Sequence, residues 1–468
     1  MLFSSITFIY FYLPTVLAVY FLLPVRYRNG LLLAASFLFY AWGEPNYLVI
    51  MLLTIFINYF AAILVSKQKT KAAKFIVLWL SIIVDLSMLG YFKYFNFFVE
   101  NINLLFHGNI DFIKVVMPIG ISFYTFQALS YVIDVYKGEV KAQKNIATVA
   151  LYIALFPQLI AGPIVKYHDI ENQLTSHDVT PDMFYQGLCR FIVGLGKKVL
   201  IANNMGLVAD KVFNLSANDV STPMAWLGAL CYSMQIFYDF SGYSDMAIGL
   251  GQMFGFKFLE NFNYPYISDS ITEFWRRWHI SLSSWLKNYV YIPLGGNRHG
   301  LTKTCINLMI VFAITGFWHG AQWTFLLWGM WHGVFIVIEK LTHFPKLKGN
   351  LVLMTGKHLL TLFIVLIGWV LFRAEQFDVA YDYLKNMFGL IAHNDDIPTQ
   401  SYFYDNIKII AFVFAVIFSF PWLRIMWNKY KDNRVFDAVY NLGLIAIFLL
   451  SSMFLTASTY NPFIYFRF

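Results

Sequence analysis

The stretch GFWHGAQWTFLLWGMWHG, residues 316–333, sets His319 and His332 among tryptophans, and FWRRWHISLSSWL, residues 274–286, does the same with His279 about forty residues upstream. The surrounding chain is built for lipid: of its 468 residues, 59% are hydrophobic, 19% aromatic and 13% charged. Soluble domains carry about 25% charge, so the chain reads as an all-α polytopic membrane protein with one integral-membrane domain. An ionisable side chain at membrane depth is costly and marks function. An imidazole takes and returns a proton near neutral pH. The two stretches therefore point to chemistry inside a membrane, or to a proton path through one.

Working outward, apolar runs long enough to span a bilayer, about 20 residues, occur at 5–24, 47–66, 75–93, 112–136, 222–254, 305–340, 356–373, 404–426 and 436–456. Shorter runs at 30–43, 147–165 and 184–213 suit short, tilted or re-entrant elements, for a total of about eleven spans. The expected subdivision is 1–145 for N-terminal helices, 146–340 for the core and 341–468 for C-terminal helices. The first apolar run has no basic residue before it, so it reads as a retained span rather than a signal peptide. Basic loops (Arg26 and Arg28; KQKTKAAK at 67–74; Lys137, Lys141 and Lys144) alternate with loops that lack them. With the basic set cytoplasmic, both termini are expected outside. The net charge of +8 belongs to these loops and not to nucleic-acid binding. Cys189, Cys231 and Cys305 lack metal or disulfide spacing. No metal site is expected.

On a continuous helix, Trp275, Trp278, Leu282 and Trp285 share one face with His279. That predicts an amphipathic helix at an interface or at the rim of a cavity. Arg276 and Arg277 are then candidates to meet an anionic donor, with Trp275 and Trp278 beside them. Gly316 and Gly320, and Gly329 and Gly333, are spaced for close helix approach. His319 and His332, thirteen residues apart, would lie about 20 Å apart on an unbroken helix and on nearly opposite faces. They should therefore not serve one reaction centre unless the helix is broken; His319, nearer the middle of the hydrophobic block, is the candidate for chemistry, and His332, nearer its Glu339–Lys340 exit, a structural residue. In YDFSGYSDMAIG, residues 238–249, Asp239 and Asp245 are candidates to orient a histidine; a neighbouring base or the backbone would equally satisfy them. Pro118 and Gly120, and Pro157, Gly162 and Pro163, interrupt apolar runs. They point to packing kinks or to backbone lining a cavity.

SITEFWRRWHISLSSWLKNYVYIPLGGNR and TGFWHGAQWTFLLWGMWHG closely resemble the membrane-bound O-acyltransferase superfamily. Within it they are similar to the bacterial alginate O-acetyltransferase branch, which also includes peptidoglycan and cellulose acetylation proteins. MPIGISFYTFQALSYVIDVYKGE, FPQLIAGPIVKY, YDFSGYSDMAIGLGQMFGF and the terminal NPFIYFRF carry the same likeness. The resemblance implies about eleven spanning helices, with short re-entrant and amphipathic ones, around a central funnel. It implies that His319 is the essential histidine and His279 a second functional one. It further implies acetyl-CoA as a cytoplasmic donor with no bound cofactor, an extracytoplasmic polysaccharide acceptor, an inner-membrane location and a periplasmic SGNH-type acetyltransferase partner. A transporter with a histidine relay and a scaffold for periplasmic acetyltransferases are the competing readings. Alginate, peptidoglycan, cellulose and other exopolysaccharides are the alternative acceptors.

Overall fold

The computed structural model describes residues 1–160, 162–175, 177–392, 394 and 403–464. Position 161 of FPQLIAGPIVKY and 465–468 of the terminal motif lie outside the described residues. Every regular element among the described residues is helical, as the composition requires. Seven helices are long and apolar enough to cross a bilayer: Pro45–Lys67, Lys71–Phe106, Pro181–Phe213, Gly300–His319, Trp323–Thr342, Leu351–Arg373 and Arg434–Ala457. An eighth forms if Asn406–Phe418 and Trp422–Tyr430, bent by 63°, count as one, and Phe8–Leu22 is apolar but shorter. The multi-pass all-α architecture stands, while these criteria give seven or eight spans against the eleven expected.

Several expected elements differ from their sequence reading; the run 222–254 is one helix, Thr222–Met253, that is not among those seven. Within 112–136 the helix begins only at Ile121, because Gly120 sits at φ +76° with Pro118 just before it. Its missing Cβ would meet the Leu159 carbonyl oxygen at 2.8 Å. The block 305–340 is two helices, Gly300–His319 and Trp323–Thr342, parted by an extended Gly320. Conversely, the short run at 184–213 is one apolar helix, Pro181–Phe213, carried past its middle by a π-helical turn at Lys197–Ala202.

The chain divides into two compact units, Met1–Phe191 with Ser244–Leu259, and Ile192–Tyr243 with Glu260–Phe468. These boundaries differ from the expected division at 145 and 340. In the first unit, helix Leu48–Lys67 packs against Lys71–Leu89 and Ile121–Lys137. The seam is polar: Asn58 Nδ2 donates to Asp85 Oδ1 at 3.0 Å and to the Thr54 carbonyl at 2.9 Å. A buried polar side chain in a span is costly, and these bonds offset part of that cost.

In the second unit, Gly300–His319 and Trp323–Thr342 form a tight hairpin, against which Leu351–Arg373 packs. Gly316 and Gly329 face each other across it, so close that a Cβ at Gly329 would sit 3.0 Å from the Gly316 Cα and 2.2 Å from the Phe312 oxygen. Gly316 and Gly329 thus give the close approach that the spacing suggests, while Gly320 lies beyond the helix end at the break. The π-helical turn aims Lys198 inward, where its Nζ lies 2.6 Å from Asp239 Oδ1 with both side chains buried. Lys198 also donates to the Pro462 carbonyl, and Ile464 N–H donates to Asp239 Oδ2 at 2.8 Å. One buried ion pair therefore holds the end of the described chain.

Candidate active site

The segment around His279 is not the continuous amphipathic helix that its spacing suggests. Helix Ile271–Arg277 stops at an extended Trp278 (φ −100°, ψ 130°), His279 follows at φ +44° and ψ +54°, and a second short helix runs Ile280–Leu286. The cause is tertiary. Ile280 N–H, which an unbroken helix would give to residue 276, donates to the Asn261 carbonyl at 2.9 Å, and the Arg277 carbonyl accepts from Asn263 N–H at 2.9 Å. The start of the first helix is pinned as firmly. Glu339, from Trp323–Thr342, accepts from the N–H groups of Ile271 and Thr272 at 2.6 and 2.8 Å and from Thr272 Oγ1 at 2.6 Å. A carboxylate at a helix N-terminus satisfies orphan donors and complements the helix dipole.

Held in this break, His279 is completely buried. Its Nδ1 lies 3.2 Å from Asn261 Oδ1, and the edge of its ring contact with Phe240 is 4.6 Å between centroids. Burial lowers its pKa, so the imidazole is neutral at physiological pH.

His319 is the last residue of Gly300–His319, and the break at Gly320 turns the chain immediately after it. Its ring meets Trp318 at 4.9 Å, Trp328 at 5.1 Å and Phe372 at 5.2 Å, all three edge-on. The ring of His279 lies 6.4 Å away, and Trp318 touches both imidazoles. Two buried histidines from separate elements therefore share one aromatic chamber in the second unit. Such an arrangement can shuttle a proton and exclude water from a reactive acyl group.

His332 belongs to a neighbouring packing layer. The broken helix removes the assumption behind its expected distance from His319, and Trp328 contacts both rings, 5.3 Å from His332 and 5.1 Å from His319. His332 is stacked on Phe274 at 6.2 Å and edge-on to Trp275 at 5.4 Å. Neither of its ring nitrogens has a hydrogen-bond partner among the described residues.

The remaining candidates separate. Trp275 packs in the His332 layer, against Phe312 and Trp328. Trp278 packs on Trp369 at 4.8 Å and Phe262 at 5.0 Å. Arg276 is exposed. Arg277 is held by Glu273 at 2.8 Å and by the Asn263 carbonyl at 3.1 Å. Asp239 is engaged by Lys198 and Ile464 rather than by an imidazole. Asp245 accepts from Arg190 Nε and Nη2 at 3.0 and 2.8 Å. The side-chain oxygen on His279 comes instead from Asn261, which sequence reasoning did not single out; nothing local marks this asparagine among the polar residues of its loop. Glu339 was read only as the exit of a hydrophobic block.

Both histidines of the chamber fall within a stretch that this chain shares with known proteins. A family model described as MBOAT, membrane-bound O-acyltransferase family, matches residues 142–345. The chain is 46% identical over 400 residues to the probable alginate O-acetylase AlgI of Azotobacter vinelandii, covering 83% of this chain and 78% of that one. The chain belongs to the membrane-bound O-acyltransferase family. The probable alginate O-acetylase AlgI of Pseudomonas putida is 41% identical over 497 residues and covers 100% of both chains. A peptidoglycan O-acetyltransferase of Helicobacter pylori is 34% identical over 518 residues, 100% of this chain and 98% of its own. As a membrane-bound O-acyltransferase the chain is a multi-pass membrane enzyme. Asn261, His279, His319, His332 and Glu339 all fall inside the stretch that the membrane-bound O-acyltransferase model matches.

Proposed function

We propose that this chain takes acetyl groups from acetyl-CoA at the cytoplasmic face of the inner membrane and passes them towards hydroxyls of an extracytoplasmic polysaccharide, alginate first among the candidates. His319 acts as base or transient acetyl carrier and His279 as its partner. The observation that carries the reading is the pair of buried imidazoles, 6.4 Å apart between ring centroids, in one aromatic chamber. The relatives named for alginate and peptidoglycan O-acetylation support acetyl over longer acyl groups.

In this reading a hydroxyl attacks the thioester carbonyl, and an imidazole lone pair takes the hydroxyl proton. The tetrahedral oxyanion collapses, and the thiolate leaves and is protonated. Exposed Arg276 meets the donor's phosphates; Arg277, already shared with Glu273, contributes less. A periplasmic SGNH-type acetyltransferase completes delivery to the polymer, and both termini face that side.

The test compares wild type with His319→Ala at matched membrane abundance. Release of free thiol from acetyl-CoA and polymer acetylation should both collapse, by roughly 10²–10⁴-fold for loss of a general base. Unchanged acetylation in His319→Ala would sink the reading. Thiol release without polymer acetylation would indicate a missing partner.

A further inference from the structure

Asn261 lies eighteen positions before His279 in sequence, yet it grips both sides of the break that His279 occupies. Its backbone carbonyl accepts from Ile280 N–H at 2.9 Å. Its side-chain Oδ1 lies 3.2 Å from Ser281 N, 2.9 Å from Ser281 Oγ and 3.2 Å from His279 Nδ1. We propose that Asn261 is a positioning residue that fixes His279 as the Nδ1–H tautomer, so that Nε2 carries the lone pair used in acyl transfer. This inference rests on the role given to His279 above.

One donor at this oxygen is unambiguous, the Ser281 backbone N–H. A backbone N–H can only donate, so the amide atom facing Ser281 N must be the carbonyl oxygen; a flipped amide would set NH2 against N–H. An amide oxygen can only accept. Ser281 Oγ also lies 3.5 Å from Nδ1, but its one hydroxyl proton goes to Asn261 Oδ1 at 2.9 Å, so the His279 nitrogen facing that amide oxygen is the one that carries a proton. A neutral imidazole has one donor and one acceptor nitrogen, which leaves the lone pair on Nε2. The side chain makes its bonds through Oδ1 alone, since Asn261 Nδ2 has no partner among the described residues. Phe240, Phe262, Trp318 and His319 pack on His279, and of these four His319 is the one with an ionisable side chain. The same residue stabilises the positive φ, a conformation that costs a non-glycine residue about 1–2 kcal/mol. Backbone geometry and tautomer are thus set together.

The test uses the full chain in everted membrane vesicles, with acetyl-CoA added outside as donor, mannuronate oligomers sealed inside as acceptor, and turnover read as release of free thiol. Four variants are compared at matched abundance: Asn261→Ala, Asn261→Asp, His279→Ala and His319→Ala. Asn261→Ala should lower turnover by roughly 10²-fold, the scale of a lost general base, with KM for acetyl-CoA little changed. Asn261→Asp keeps an acceptor at the same place and should recover most of that loss. Its carboxylate favours the imidazolium, so the acidic limb of the pH–rate profile should move to higher pH. A purely structural asparagine predicts otherwise: both variants would lose activity in parallel with thermal stability and the limb would stay put, overturning the proposal. If Asn261→Ala does not fold, Asn261→Asp and its pH profile decide the matter alone. If His279→Ala is inactive while both Asn261 variants match wild type, the tautomer proposal fails and the functional reading survives. If His279→Ala retains full turnover, the role of His279 itself fails.

Discussion

Replacing Gly329 with alanine should separate the hairpin that carries His319. A Cβ there would lie 2.2 Å from the Phe312 carbonyl oxygen and 3.0 Å from the Gly316 Cα, where ordinary contacts fall at 3.4–4 Å. Both obstacles are backbone, so no side-chain rotation relieves them, and the helices must part by roughly 1 Å. Overpacking of this kind costs about 1–3 kcal/mol, and a backbone clash belongs near the top of that range. Alanine returns about 1 kcal/mol of helix propensity over glycine, which leaves a net loss of about 2 kcal/mol. Gly356 supplies the control: it lies in Leu351–Arg373 with nothing within 4 Å of its would-be Cβ. Gly356→Ala should therefore keep the propensity gain and stabilise by up to about 1 kcal/mol. Thermal unfolding of both variants in the same detergent reads the difference directly. Turnover should fall in Gly329→Ala alone, because Trp328 and Phe325, beside Gly329, line the His319 layer. Equal unfolding temperatures for the two variants would refute the claim that this contact holds the hairpin.

Asp239→Ala should destabilise the fold by about 3–5 kcal/mol, since it strands the buried Lys198 ammonium. The double change Lys198→Met with Asp239→Leu should recover much of that, and unfolding in detergent distinguishes coupled from independent effects. Glu339→Ala removes the acceptor for two backbone N–H groups and one hydroxyl at the start of Ile271–Arg277; a cost of about 1–3 kcal/mol should come with reduced turnover, measured on the same sample. His332→Leu should keep turnover within a few-fold, because no hydrogen bond to His332 is lost among the described residues, whereas His332→Ala opens a cavity and should cost about 2–5 kcal/mol in unfolding. A stable but inactive His332→Leu would move His332 into the chemistry.

What the sequence made legible was whatever has a local signature. Low charge and long apolar runs specify a helical membrane protein wherever they occur. The four-residue spacing of glycines at 316–320 and 329–333 signals close approach, and Gly316 and Gly329 meet across the hairpin. His319 and His279 stood out because imidazoles are costly in lipid, and they share a chamber with rings 6.4 Å apart. The span count was less legible for the same reason. Hydropathy integrates over a window, so it joins Gly300–His319 to Trp323–Thr342 across three residues and cannot see that the chain reverses there. It also underrated Pro181–Phe213, whose middle carries Lys197 and Lys198. The π-helical turn turns one of those lysines inward to Asp239, which makes a charged pair compatible with a long apolar helix.

The partners of the site were hidden for a further reason, which ties the two histidines to their breaks. A backbone N–H or carbonyl that leaves a helix inside a membrane protein must find another partner within the protein. At 278–281 those partners come from residues 261–263: the Asn261 carbonyl for Ile280, the Asn261 side chain for Ser281, and Asn263 N–H for the Arg277 carbonyl. Helical periodicity sees only i to i+4 neighbours, so it assigns Trp275, Trp278 and His279 to one continuous face. The tertiary bonds instead divide them, sending Trp275 to the His332 layer and His279 to the His319 chamber. The break is thus what brings His279 beside His319, where an unbroken helix would have held it in a tryptophan stripe. It follows that substitutions in 261–263, a stretch with no chemistry of its own, should disturb turnover as strongly as substitutions in the tryptophans that flank His279.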